Sequence, residues 1–272
     1  MLEHALMDVA KAAALAGGEV IMNAHRSRQP GRLAPSGMKG QNDFVTDVDR
    51  AAEARILSVI TDVFPDHDIQ AEESQPSQLG SEYRWIIDPL DGTTNFIHGF
   101  PVFAVSIGLS YQNRMQLGVV FDPVRGEMFH AEAGQGAWLN DTRIHVSEVR
   151  DLSSALLLTG FPFKGQQYLR KYLDVFAEMF KASSGIRRAG SASLDLAYVA
   201  CGRAEGFFEM LLSPWDIAAG ALLITEAGGL VGDLAGESRY LETGNVVTGT
   251  PKVFVELLHA ISPHLTPTLR QG

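Results

Sequence analysis

The chain has 272 residues, with 22 Lys and Arg against 32 Asp and Glu, a formal net charge of −10. Hydrophobic residues make up 46% and charged residues 20%, enough apolar material for a sizeable core, so disorder as the main state is excluded. So acidic a chain is a poor general nucleic-acid or anionic-membrane binder, because phosphate affinity draws on surplus Lys and Arg, whereas it is well suited to holding cations.

Met1–Val9 carries Glu3, His4 and Asp8 and so lacks an apolar signal core, and the helical spacing of Leu2, Leu6, Val9, Ala13, Ala16, Val20 and Ala24 predicts an amphipathic helix over 2–26. The stretch 27–42, rich in Gly, Pro, Ser and Arg, reads as a loop. A second helix is expected from about Thr46 to Phe64, with Ala52, Ile56, Val59, Ile60 and Val63 on one face and Pro65 as its stop. Asp68–Ala71 reads as a short strand. Tyr83–Asp88, Phe103–Tyr111, Met115–Phe121 and Glu127–Glu132 read as further strands, separated by Gly, Pro and Asn turns.

From residue 154 onward, strands and helices alternate. Strands are expected at Ala155–Thr159, Gly206–Met210, Leu230–Asp233 and Val246–Thr248. Helices are expected at Gln167–Lys181, Ala192–Cys201, Pro214–Ala227 and Lys252–Ile261. Two helices, an antiparallel run and an α/β half predict layered helices and sheets. The whole of 1–272 reads as one domain; a division near 145–153 is compatible with the pattern, with one site shared by both halves. The single cysteine, Cys201, precludes an intrachain disulfide or a cysteine zinc cluster and fits a reducing, cytoplasmic setting. It sits on an apolar helix and reads as buried and inert. No stretch approaches the roughly 18 apolar residues that span a membrane.

The run Trp85-Ile86-Ile87-Asp88-Pro89-Leu90-Asp91-Gly92-Thr93-Thr94-Asn95 carries the most chemistry. Asp-Pro and Asp-Gly alone are turn signals. The alternative is that Asp88 and Asp91 share one or two hard cations with the Leu90 carbonyl, while Gly92 and Thr93 offer amides to a phosphate. Glu72-Glu73-Ser74 follows the short strand and by itself reads as two solvated glutamates. Thr46 with Asp49, and Ser213 with Pro214 and Asp216, each read as a helix capping box; capping and ligation are compatible, because a helix start fixes a carboxylate. With every candidate an oxygen donor, the site suits Mg²⁺, Mn²⁺ or Ca²⁺ rather than Zn²⁺.

In this order, Asn42–Asp49, Glu72–Ser74, Asp88–Asn95, Thr159–Phe163, Gly190-Ser191-Ala192 and Trp215–Gly220 resemble the inositol monophosphatase family, in particular its bacterial branch. The resemblance implies a layered α-β-α-β-α sandwich of the inositol monophosphatase and fructose-1,6-bisphosphatase type, a homodimer, and Mg²⁺ (two or three ions per site) with inhibition by Li⁺. It implies that Glu72, Asp88, the Leu90 carbonyl, Asp91 and Asp216 bind the metal. Asp49, Glu72 and Thr93 would prepare a metal-activated water, and the Gly92 and Thr93 amides would hold phosphate. Gly190, Ser191, Ala192, Glu209 and Asp216 would meet the sugar. The implied reaction is hydrolysis of inositol monophosphate or a related polyol phosphate. Within the class, phosphatases of histidinol phosphate, fructose-1,6-bisphosphate or 3′-phosphoadenosine nucleotides are neighbours.

The bacterial branch also resembles proteins that act with the transcription machinery in ribosomal RNA synthesis. The charge favours a protein partner over direct RNA binding in that role. Arg26, Arg28, Arg32 and Lys39 read as a solvated basic face; for the pair Arg187-Arg188 a solvated strand end and a substrate or partner contact are equally open. Ser36-x-x-Lys39 matches an acylating pair of penicillin-binding enzymes, but no Lys-Thr-Gly or Ser-Asp-Asn accompanies it. His98, just beyond the acidic run, reads as a surface or packing residue.

Overall fold

The computed structural model describes residues 2–29, 33–40, 43–266 and 269. The chain opens with α1 (Leu2–Ser27), a hairpin of β1 (Gly37–Gly40) and β2 (Asp43–Val45), and α2 (Asp47–Thr61). Next come β3 (Asp68–Ala71), β4 (Tyr83–Asp91), the short α3 (Thr93–His98), β5 (Ala104–Tyr111), β6 (Arg114–Asp122), β7 (Glu127–Glu132), β8 (Gly136–Leu139) and β9 (Thr142–Ile144). The second half contributes β10 (Leu156–Thr159), α4 (Leu169–Ala182), β11 (Gly185–Arg187), α5 (Ala192–Ala200) and β12 (Gly206–Glu209). It closes with α6 (Pro214–Glu226), β13 (Leu230–Gly232), α7 (Tyr240–Thr243), β14 (Val246–Gly249) and α8 (Pro251–Ile261).

A seven-stranded sheet runs in the order β3-β4-β5-β6-β7-β8-β9, parallel between β3 and β4 and antiparallel elsewhere. A five-stranded sheet runs β11-β10-β12-β14-β13, with β10 parallel to both its neighbours. Helices α1 and α2 cover one face of the larger sheet; α5 and α6 fill the space between the sheets; α4 and α8 cover the far face of the smaller one. The result is the α-β-α-β-α layering that the resemblance implies. The middle layer is apolar on every side, as its place between two sheets requires: Ile217, Ala218, Ala219, Leu223 and Ile224 of α6 are all buried.

Several local expectations are revised. The buried face of α1 is Leu6, Met7, Ala10, Ala13, Ala14, Gly17, Gly18 and Ile21; Leu6 and Ala13 of the expected stripe are buried, but the face is turned towards Ala10, Ala14 and the glycines, so Val9, Ala16 and Val20 are only half-buried. The cause is Gly17-Gly18. A Cβ on Gly17 would stand 2.7 Å from Ile56 Cδ1, and one on Gly18 2.5 Å from Phe121 Cε1, so α1 packs closest along its smallest residues. Helix α2 stops at Thr61, before Pro65, and Val63 is left 52% exposed. The expected loop over 27–42 holds β1, which pairs with β2; Arg32 and Asn42 lie outside the described residues, as does the side chain of Lys39.

Arg28 is not part of a solvated basic face. Its guanidinium donates to the Phe96 carbonyl and, at 2.7 Å, to the Ile97 carbonyl, placing a cation at the C-terminal end of α3. Cys201 is half-buried, its thiol pKa pushed up by burial, which keeps it unreactive. No helix among the described residues is long and apolar enough to cross a membrane.

Candidate functional site

Strand β4 is apolar through Trp85, Ile86 and Ile87 and buried from Trp85 to its end. Strict alternation along a strand would send Asp88 and Asp91, three apart, to opposite faces. Instead the pairing with β5 slips between Asp88 and Asp91, and this irregularity changes the parity. The carboxylates of Asp88, Asp91 and Asp216 therefore meet, one oxygen from each lying within 4.8 Å of the others.

Each of the three is fixed by the backbone around it. Asp88 Oδ1 accepts from the Leu90 amide at 2.9 Å. Asp91 Oδ2 accepts from the Ser191 hydroxyl at 2.7 Å, the Ser193 amide at 2.7 Å and the Ser193 hydroxyl at 2.5 Å, all at the start of α5. Asp216 Oδ2 accepts from the Ser213 amide at 2.7 Å in the expected capping box, with Pro214 in the first turn of α6. Ser106 Oγ donates to the Trp215 carbonyl at 3.0 Å and ties that helix start to β5.

Beside this trio stands a fourth acid. Asp49 is fully buried; its Oδ2 accepts from the Thr46 amide at 2.8 Å and the Thr46 hydroxyl at 2.5 Å, completing the predicted capping box of α2. Its Oδ1 accepts from Thr93 Oγ1 at 2.8 Å, and Thr93 Oγ1 also lies 3.1 Å from the Leu90 carbonyl oxygen. Glu72 is outside the three-carboxylate meeting point, but its charge acts on both Asp88 and Asp49, and it lines the same cavity.

Gly92 links β4 to α3 with φ of 95°, the left-handed region that favours glycine. A Cβ there would come within 2.9 Å of the Val102 carbonyl, so the turn can pass close to its neighbours only without a side chain. Asn95 secures the same turn from the other side. Its Nδ2 donates to the Val102 carbonyl at 2.8 Å and the Ala189 carbonyl at 2.9 Å, joining α3 to the segment that leads into α5.

A cavity of about 320 Å³ opens over these groups, and Glu72, Asp91, Gly92, Thr93, Glu209 and Asp216 are among its walls. Gly190 lines it too, while Ser191 and Ala192 line a side chamber described below. The site residues named from the sequence thus gather around one cavity, with Asp49, Asp88 and Leu90 beneath its floor, each 1% exposed or less. The sequence reading assigned no role to Phe161, Phe163 or Asn95, and left Arg188 open. The Arg188 guanidinium sits 5.3 Å from the centres of both the Phe161 and Phe163 rings and lines the cavity. The basic pair therefore divides: Arg187 bonds the Ile186 carbonyl at the surface and Arg188 faces the site. His98 is exposed and lines none of this.

The electrostatics are those of a cluster of acids that could hold a cation. Burial, and then the charges of Glu72, Asp91 and Asp216, push the Asp88 carboxyl well above the usual range. Burial raises Asp91 too, opposed by the donors on α5, and burial raises Asp49 against the hydrogen bonds from Thr46 and Thr93. Like charges this close repel strongly at low dielectric, and a dication removes that cost. The donors are all oxygen, which fits a hard ion such as Mg²⁺.

The sequence pattern of the inositol monophosphatase family matches residues 3–266, and the chain belongs to that family. It is 49% identical over 271 residues to the protein called Nus factor SuhB in Pseudomonas aeruginosa, covering 98% of this chain and 99% of that protein. Among solved structures it is similar to the extragenic suppressor protein suhB of Bartonella henselae, with a TM-score of 0.91, 38% identity, and coverage of 96% of this chain and 100% of that one. It is likewise similar to the inositol monophosphatase of Anabaena (Nostoc) sp. PCC 7120, with a TM-score of 0.86, 37% identity, and coverage of 98% of this chain and 99% of that one.

Proposed function

We propose that the protein is a Mg²⁺-dependent phosphatase that hydrolyses inositol monophosphate or a related polyol phosphate. The observation that carries this reading is the meeting of Asp88, Asp91 and Asp216 within 4.8 Å, beside the Thr93–Asp49 pair and under a cavity large enough for a sugar-sized ester. Glu72, Asp88, the Leu90 carbonyl, Asp91 and Asp216 would hold the ions. Bound magnesium supplies a Lewis acid that lowers the pKa of water and offsets phosphate charge.

The remaining work falls to the chain. Thr93 Oγ1 donates to Asp49 Oδ1, which leaves its lone pairs to accept a hydrogen from the attacking water. The proton passes through Thr93 Oγ1 towards Asp49, whose raised pKa suits a proton acceptor. Glu72 assists from the cavity wall. The Gly92 and Thr93 amides, at the start of α3 where helical amides lack intrahelical partners, hold the phosphate oxygens. Water adds to phosphorus, the ester P–O bond breaks, and the leaving polyol oxygen takes up a proton, balancing the one the attacking water gave up, so that one water is consumed and polyol and inorganic phosphate are formed. Glu209 and Asp216 accept from ring hydroxyls, and Gly190, Ser191 and Ala192 line the sugar side. Phosphate release from a panel of inositol, sugar and nucleotide monoesters, with Mg²⁺ and with EDTA, tests the reading. Release from none of them overturns it.

A second reading is favoured by the name Nus factor SuhB carried by relatives 46–49% identical to this chain. In it the protein acts in the cytoplasm, as a homodimer, with a protein of the transcription machinery, and catalysis is secondary. Pull-down with wild type and Asp88→Asn separates the two: partner capture that survives loss of turnover supports a role independent of the metal site.

A further inference from the structure

The cavity continues into a side chamber of about 110 Å³, which shares Asp91, Glu209 and Asp216 with it and is closed by Thr159, Ser191 and Asp195. Asp195 belongs to the first turn of α5, four residues beyond Ser191 and therefore on the same face of the helix. It is 1% exposed, and its Oδ1 is buried with no hydrogen-bond partner among the described residues. A buried carboxyl oxygen without a partner is costly, and such groups in folded proteins are almost always matched by protein, water or ligand.

We propose that Asp195 is a further specificity-determining residue: it accepts a hydroxyl of the polyol at the inner end of the site, in the chamber whose wall it shares with Glu209. The proposal rests on the phosphatase reading above and names what that site prefers to hold. The chamber's chemistry indicates the ligand class. Asp91, Asp195, Glu209 and Asp216 gather acceptors around a space too small for a second large group, with Arg188 also on its wall. A neutral, donor-rich polyol satisfies them, while a carboxylate or second phosphate would meet four acids against the single guanidinium of Arg188. Burial, and then the charges of Glu209 and Asp91, hold the Asp195 carboxyl well above its usual range, against the opposing charge of Arg188.

The test compares wild type, Asp195→Ala and Asp195→Asn on inositol 1-phosphate and on phenyl phosphate, which lacks ring hydroxyls. Loss of one hydrogen bond to a charged acceptor is worth roughly a 10- to 100-fold change in binding. The ratio of kcat/KM for inositol 1-phosphate over phenyl phosphate should fall about 10-fold or more in Asp195→Ala, chiefly through KM. Asp195→Asn, which keeps the shape and an acceptor, should retain an intermediate ratio. Titration calorimetry with Mg²⁺ should show metal affinity retained in both variants. An unchanged ratio in an active Asp195→Ala overturns the proposal and leaves the phosphatase reading standing. A ratio that falls only together with metal affinity and melting temperature in both variants also overturns it, because it shows a structural role. Failure of the wild type to hydrolyse any polyol phosphate overturns the phosphatase reading, and this one with it.

Discussion

Thr93 Oγ1 gives its hydrogen to Asp49 Oδ1 at 2.8 Å, joining the first residue of α3 to a carboxylate 44 positions earlier that also caps α2. One acid thus starts a helix and waits on a hydroxyl at the edge of the cavity. If that hydroxyl relays a proton, Thr93→Ala lowers kcat by roughly 10²- to 10⁴-fold with a smaller change in KM. Steady-state kinetics on the best monoester checks it; an unchanged kcat removes Thr93 from proton transfer.

Asp88→Asn takes away charge from a crowded, buried group and leaves its shape. Turnover should vanish and Mg²⁺ affinity should fall steeply, while the protein measured in EDTA melts a few degrees higher than wild type. Calorimetric Mg²⁺ titration and thermal melts of the two proteins check both halves of the prediction.

The raised pKa values of Asp88, Asp91 and Asp49 fix the sign of the pH response. Between the ordinary carboxylate value of 3.8 and the elevated native values, the folded protein binds more protons than the unfolded chain. Metal-free stability contributed by these groups is therefore full below that window and falls as pH rises through it. Metal binding requires the deprotonated acids and so strengthens over the same range. Melting curves across pH with EDTA and with Mg²⁺ should diverge upward in pH, and phosphatase activity should fall on the acid side. Parallel curves would refute the linkage.

Gly160 offers a way to disturb the sugar side without touching the metal acids. A Cβ at Gly160 would fall 1.9 Å from Glu209 Oε1, the far end of a side chain that can swing away. Gly160→Ala should cost little stability yet displace the Glu209 carboxylate, raising KM for inositol 1-phosphate about 10-fold, as loss of one charged hydrogen bond does. Kinetics with a melting control decides it.

Arg28 secures α3 by bonding the Phe96 and Ile97 carbonyls. Arg28→Ala should destabilise the fold by about 1–3 kcal/mol, the range for buried acceptors left without a donor, read by urea unfolding.

Much of this was legible in the amino-acid order because capping chemistry is local. Thr46 with Asp49, and Ser213 with Pro214 and Asp216, announce helix starts in four residues each, and both are found as read. Strands β3 to β7 of the larger sheet were visible through their apolar runs and intervening turns, whereas the short β8 and β9 at its edge were not read from the sequence. Other features depend on contacts distant in sequence. The face that α1 buries is set by Ile56 and Phe121 closing on Gly17-Gly18. The parity change between Asp88 and Asp91 exists only in the pairing of β4 with β5. Arg188 looked like half of a basic pair until Phe161 and Phe163 were placed beneath it. Asp195 was hidden in an apolar helical run, and its missing partner is a property of the folded state alone.

Asp91 ends a strand of the larger sheet, yet its Oδ2 is claimed by Ser191 and Ser193, 100 and 102 positions later, on a helix shared with the smaller sheet. The two halves of the polypeptide are thereby stitched at the very spot where the acids meet. On the proposed reading, any slackening of that seam, even by mutation far from the cavity, would be felt first as a weakened grip on the cation, which would make cation affinity a sensitive gauge of how well the two halves have closed.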